Sequence, residues 1–212
     1  MLAEWLAGTS VATFVREHLQ RQPFAAAGTA GAALPLFDWD VLGRVLASDP
    51  KPDALVVAKG RARDLPVPRD VAGTRALFRD GLGLVVRKAE RNDSGLAALA
   101  GAFADELGGT ATIQLFVTPA GTHGFGWHYD FEDVFIAQTL GAKSYYFRPN
   151  TVDSDAPLGS QPDFSKYERE SSPMHNARLL AGDWLYVPAR WWHVALCEED
   201  SLSISVGVLP RR

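Results

Sequence analysis

Three side chains have the types and spacing to do chemistry together. His128 and Asp130 lie two residues apart in Gly124-Phe125-Gly126-Trp127-His128-Tyr129-Asp130, and His193 follows much later in Gly182-Asp183-Trp184-Leu185-Tyr186-Val187-Pro188-Ala189-Arg190-Trp191-Trp192-His193. On a β-strand alternate side chains share a face, so His128 and Asp130 would point one way and Tyr129 the other. An imidazole and a carboxylate on one face make half of a divalent-metal site. With a second imidazole they match the 2-His-1-carboxylate facial triad, which leaves positions open on Fe(II). His193 alone would read as a core histidine bonded to a backbone carbonyl. On a barrel, whose strands converge on one interior, it completes the triad. The remaining histidines are weaker candidates: His18 reads as a surface residue, and His123 and His175 as loop residues.

A scaffold must bring these positions together, and the sequence predicts one. Thr9-Ser10 caps a helix running to about Arg21, with Val11, Phe14, Val15 and Leu19 on one face and Pro23 ending it. Residues 25 to 33 read as a loop or strand edge. Asp38 caps a second helix through Leu46, Ala54 to Lys59 is a buried strand, Val71 to Arg79 a helix, and Gly81 to Arg87 a strand. Ser94 to Leu107 is an amphipathic helix closed by Gly108-Gly109. From Thr110 short strands follow one another: 112–118, 127–130, 134–140, 143–148, 178–180, 184–187, 193–196 and 202–208. Such runs punctuated by turn signals predict a β-barrel or jelly roll. The fold class expected is α+β, mainly β. Residues 1–109 form a helical and strand region packing on a barrel core of residues 110–212.

The polar segment 149–177 interrupts this spacing and is expected to be a lid or substrate-binding insertion. Its acids Asp153, Asp155, Asp163, Glu168 and Glu170 outnumber Lys166 and Arg169, which would tolerate a cationic substrate. Trp127, Tyr145, Tyr146, Phe147, Trp184, Trp191 and Trp192 are expected to fill the barrel as core rather than to form a substrate cage.

Composition narrows the function. The 212-residue chain has a net charge of −4, with no basic stripe for nucleic acid. Cys197 is the single cysteine, so an intramolecular disulfide and a cysteine zinc site are excluded. Glu4 breaks the apolar N-terminus, a poor signal peptide, and no apolar run is long enough to span a bilayer. A cytoplasmic protein is expected, acting on neither membrane nor nucleic acid.

The His128-Tyr129-Asp130 stretch, Asp133 to Gln138, Gly141-Ala142-Lys143 and the Gly182-to-His193 run together resemble the JmjC-type Fe(II)/2-oxoglutarate oxygenases of the cupin superfamily, within them the ribosomal-oxygenase branch. The likeness is dense from about Thr112 to Val208. It implies a double-stranded β-helix in which His128, Asp130 and His193 hold Fe(II). Lys143 stands at the position that pairs with the distal carboxylate of 2-oxoglutarate, and Gln114 and Ser205 at positions that help hold this cosubstrate. A strand lysine inside a barrel suits that role, being costly there unless it meets an anion. Its rival reading is a lysine at the mouth of the hairpin beside Gly141-Ala142. Gln114 replaces a more usual Asn, and Phe116 replaces a Tyr, so some cosubstrate hydrogen bonds are expected to differ. The branch's C-terminal dimerisation and winged-helix regions are expected to be missing, which weakens inference to a ribosomal substrate and leaves monomer and homodimer open.

The resemblance implies a dioxygenase consuming O2 and 2-oxoglutarate and releasing succinate and CO2 as it hydroxylates an unactivated C–H of a peptide or protein residue. Three other readings stay open: a hydroxylase tailoring a small-molecule or peptide natural product, a demethylase, and a non-catalytic metal-binding cupin.

Overall fold

A computed structural model describes residues 1–160 and 163–210. Positions 161 and 162 of the expected lid and 211 and 212 of the barrel region lie outside the described residues. The helices are α1 (Leu2–Trp5), α2 (Val11–Glu17), α3 (Trp39–Ala47), α4 (Val71–Phe78), α5 (Ser94–Leu107) and α6 (Phe164–Tyr167). The strands are β1 (Phe24–Ala26), β2 (Asp53–Ala58), β3 (Arg61–Arg63), β4 (Gly83–Arg87), β5 (Gly109–Thr118), β6 (Asp133–Leu140), β7 (Lys143–Arg148), β8 (His175–Leu179), β9 (Trp184–Val187), β10 (Trp192–Cys197) and β11 (Ser201–Pro210).

Local chemistry fixes the helix ends. Ser10, Asp38, Asp70 and Asp93 each accept a hydrogen bond from a backbone N–H of the first turn of α2, α3, α4 and α5. Gly108 closes α5 at φ 69°, a left-handed angle that costs glycine little. Helix α2 ends at Glu17, short of the expected Arg21, because Gln20 turns the chain at φ 60°.

The strands form two antiparallel sheets, an eight-stranded one in the order β1-β9-β6-β11-β5-β4-β2-β3 and a three-stranded one in the order β10-β7-β8. Alternation splits the large sheet's side chains between two cores. Ile113, Leu115 and Val117 of β5, with Ile204, Val206 and Val208 of β11, face a core shared with Trp5, Phe14, Leu42, Val45, Leu99 and Phe103 of the helices. Each such side chain, fully buried, contributes about 1.5–3 kcal/mol. Val134, Ile136, Leu185 and Val187 face the other way and meet Tyr145, Phe147 and Leu179 of the small sheet, enclosing the barrel interior. The double-stranded β-helix of the JmjC cupins is therefore present, with the N-terminal helices outside it.

Two sequence expectations are corrected here. Residues 127–130 are not a strand: His128 makes one isolated bridge to His193, and the neighbouring residues are irregular. The expected aromatic barrel core also divides. Trp184 packs on the helix side against Trp5, and Tyr146 is 38% exposed because it falls on the outward phase of β7.

Candidate metal and cosubstrate site

The barrel brings His128, Asp130 and His193 together: one ligand atom from each lies within 4.8 Å of the others. His193 enters on β10, a regular strand paired to β7. His128 is joined to it by two backbone hydrogen bonds, His128 N–H to the His193 carbonyl at 3.2 Å and His193 N–H to the His128 carbonyl at 2.8 Å. The irregular ligand loop is thereby pinned to the strand that carries the other imidazole. Tyr129 points away from the triad, as alternation predicts, and is buried on the far side.

Both imidazoles are oriented alike. His128 Nδ1 lies 2.7 Å from the Gly126 carbonyl and His193 Nδ1 lies 3.0 Å from the Trp191 carbonyl. A carbonyl only accepts, so each Nδ1 carries a proton, and in the neutral ring each Nε2 is left with the lone pair a metal would take. His193 Nε2 stands 3.5 Å from Asp130 Oδ2. Burial, then the His193 charge, push the pKa of His128 down to about 4. Burial raises that of Asp130, but the His193 hydrogen bond and the His128 charge outweigh it and hold the carboxyl at about 2. Burial lowers the His193 pKa, and its hydrogen bond to Asp130 more than restores it, raising it overall. Two oriented nitrogens and an ionised oxygen fit a divalent metal of the Fe(II) class.

Lys143 points into the interior. It is 3% exposed, its Nζ donates to Ser203 Oγ at 3.0 Å, and it lies 5.5 Å from the centre of the Phe116 ring. Among the described residues no carboxylate lies within ion-pair distance of it. Burial pushes its pKa down. The reading of Lys143 as a lysine at the hairpin mouth does not hold. Gln114 and Ser205 are cross-strand partners on β5 and β11, and neither makes a side-chain hydrogen bond among the described residues. Spacing alone did not single out Ser203, the hydrogen-bond partner of Lys143, or Tyr145, two residues along β7 from it. The period of two carried the signal: Ser203 shares a face with Ser205, and Tyr145 with Lys143.

Two further segments shape the ligand loop. The β2–β3 hairpin lays Gly60 against it, with Gly60 N–H bonded to the Gly124 carbonyl at 3.1 Å. A Cβ at Gly60 would come 2.9 Å from the Gly126 nitrogen, so only glycine fits, at φ 77°. The 149–177 segment reaches the loop from the other side, through Tyr129, Trp127 and Arg190. Its acids are not all free to attract a cation. Asp153 and Glu170 are buried and hydrogen-bonded within the protein, which removes two charges from the expected cation-tolerant surface.

Comparison with known proteins bears on the family and the fold. A family model described as JmjC domain matches residues 99–212, more than half of the chain. Ribosomal oxygenase 1 of Danio rerio is 32% identical over 105 residues, covering 49% of this chain and 19% of that protein. The bifunctional lysine-specific demethylase and histidyl-hydroxylase NO66 of Dictyostelium discoideum is 36% identical over 96 residues, 45% of this chain and 18% of its own. Among solved structures, Escherichia coli ycfD superposes with a TM-score of 0.71 at 20% identity over 96% of this chain and 54% of that one. The same ribosomal oxygenase in complex with cobalt and 2-oxoglutarate gives 0.69 at 19% identity, over 96% and 52%. These structures establish the shared fold. The chain spans about a fifth of the length of these curated relatives and about half of that of the solved structures. By the match to the domain model, this chain belongs to the JmjC-domain family.

Proposed function

We propose that the chain is an Fe(II)- and 2-oxoglutarate-dependent dioxygenase that hydroxylates a residue of a protein substrate. One observation carries the reading: a buried lysine with no acidic partner among the described residues stands in the same interior as an oriented His-Asp-His set. Desolvating an ammonium is unfavourable unless an anion compensates it, and the distal carboxylate of 2-oxoglutarate supplies one.

His128 and His193, through Nε2, and Asp130, through its carboxylate, would hold the iron. Bound there with 2-oxoglutarate and O2, it supplies the oxidising chemistry that turns a C–H bond into C–OH, with succinate and CO2 as co-products. The chain's residues bind and orient. The Gly126 and Trp191 carbonyls fix both imidazole planes. Lys143 binds the cosubstrate's far end, with the Ser203 hydroxyl free to turn and donate to the same carboxylate. Gln114 and Ser205 line the path between. Phe116 cannot donate the hydrogen bond a tyrosine would, so Lys143 carries more of the anchoring. Phe116 and Phe125, rings 6.4 Å apart, help keep water from the cosubstrate.

The relatives' names, a ribosomal oxygenase and a histidyl-hydroxylase, support the reading of a protein substrate. The test is 2-oxoglutarate turnover by the purified protein with Fe(II) and O2, read as succinate, followed by mass spectrometry of ribosomal proteins for the gain of one oxygen. Succinate formation lost in His193→Ala, and one oxygen added to a defined residue, is expected. Succinate no greater than that of His193→Ala would overturn the assignment, and a lost methyl group would replace hydroxylation by demethylation.

A further inference from the structure

The residues flanking all three proposed ligands are held by an outlying region, residues 150–156 and 166–167. Tyr129, between His128 and Asp130, is 2% exposed and donates its hydroxyl to Asp153 Oδ2 at 2.8 Å. The other oxygen of Asp153 takes the Lys166 ammonium, and the Asp153 N–H donates to Asn150 Oδ1 at 2.8 Å. Trp127, before His128, stacks on Tyr167 at 4.3 Å with the planes 19° apart. Trp192, before His193, meets the Tyr129 ring at 4.9 Å and the Tyr167 ring at 5.3 Å.

Arg190 closes the arrangement. Its backbone sits in the left-handed region at φ 66°, a conformation unfavourable for a residue with a side chain, and there its N–H donates to the Asp130 carbonyl at 2.7 Å. Its guanidinium donates to the carbonyls of Ser154 and Ala156, both at 2.8 Å, and lies 4.7 Å from the centre of the Phe131 ring. The segment thus grips Trp127, Tyr129, Arg190 and Trp192. The ligand loop has no regular strand pairing, only isolated bridges at Phe125 and His128, so side-chain contacts from outside bear on its geometry.

We propose that Tyr129, Asp153 and Arg190 are positioning residues: they form a brace through which residues 150–156 and 166–167 set the approach of His128 and Asp130 to the metal. The proposal rests on the metal reading above. It gives the segment a role in metal affinity, distinct from covering the substrate. Packing alone would tie these residues to stability; a brace ties them to the shape of the metal site.

The test uses Co(II) alone, titrated into the whole chain and followed by its visible absorption, with circular dichroism and thermal unfolding recorded for each variant. Tyr129→Phe removes one hydroxyl and keeps the ring. Lys166→Gln, at a partly exposed position, removes the ammonium bound to Asp153 and leaves the residues of the ligand loop unchanged. Each is expected to weaken Co(II) binding about tenfold and shift the Co(II) spectrum, with circular dichroism unchanged. In the double variant the losses should fall short of additive, because both act through Asp153. Wild-type affinity and spectrum in both single variants, with His193→Ala still abolishing binding, would overturn the brace. Failure of the wild type to bind Co(II), or undiminished binding by His193→Ala, would instead overturn the metal reading beneath it.

Discussion

His128 and His193 hold each other through a reciprocal pair of backbone hydrogen bonds, at 3.2 and 2.8 Å, while each imidazole turns its Nδ1 to the carbonyl two residues before it. The polypeptide thus orients both rings by the same local device before any metal arrives. Removing one ring should leave the backbone clasp intact. His128→Ala is expected to lower divalent-metal affinity by at least roughly 100-fold, since direct ligation is worth more than the 10–100-fold of supporting contacts. Calorimetric metal titration measures the loss, and an unchanged circular dichroism spectrum would show that the fold survives.

Lys143 gives a second prediction. Its ammonium has Ser203 as its hydrogen-bond partner in the interior, and a hydrogen bond to a charged group contributes about 1.5–3 kcal/mol. Lys143→Ala should raise the KM for 2-oxoglutarate by roughly 10- to 100-fold. Metal affinity should stay near wild type, since Lys143 is not among the three ligand residues. Steady-state kinetics beside a metal titration separates the two effects.

Gly60 gives a third, at a position whose role only the fold reveals. Gly60→Ala puts a methyl 2.9 Å from the Gly126 nitrogen at a backbone angle that also disfavours alanine. The Gly126 carbonyl orients His128, so displacement there reaches the metal site. Lower thermal stability, by about 1–3 kcal/mol, is expected together with weaker metal binding. Thermal unfolding and the metal titration read the two parts.

Glu170 supplies the pH dependence. Burial pushes its pKa up, but bonds from the Thr151 N–H and hydroxyl at 2.7 Å and from the Ser172 N–H at 3.1 Å pull it down to about 2. The folded pKa lies below the ordinary glutamate value. The stabilisation is therefore complete above that value and disappears as pH falls through about 2. Glu170→Gln should lower stability by on the order of 2 kcal/mol at neutral pH. The gap to wild type should close in acid, as unfolding measured across pH would show.

Much of this was legible in the sequence, because it depends on short spacing. The strands of 143–148 and 184–187 and the helix of 94–107 follow from periodicity, and the helix caps from Ser10, Asp38 and their like. His128-x-Asp130 stands out by its two-residue spacing, and Lys143 only through the family resemblance. The irregular backbone at 127–130 was not legible. Its alternation imitates a strand, whereas the Gly60 hairpin and the Tyr129–Asp153 contact shape it from outside. Those contacts join residues far apart in sequence, and no local pattern encodes them. Ser203 was obscured for another reason: several serines alternate along β11, and only packing shows which one meets Lys143.

The most direct test of the central claim is the visible absorption of the protein under anaerobic conditions, with Fe(II) and then 2-oxoglutarate added. The account predicts a metal-to-ligand charge-transfer band that needs both additions, vanishes in His193→Ala, and requires far more 2-oxoglutarate in Lys143→Ala. Absence of the band from wild-type protein that has bound Fe(II) would contradict it.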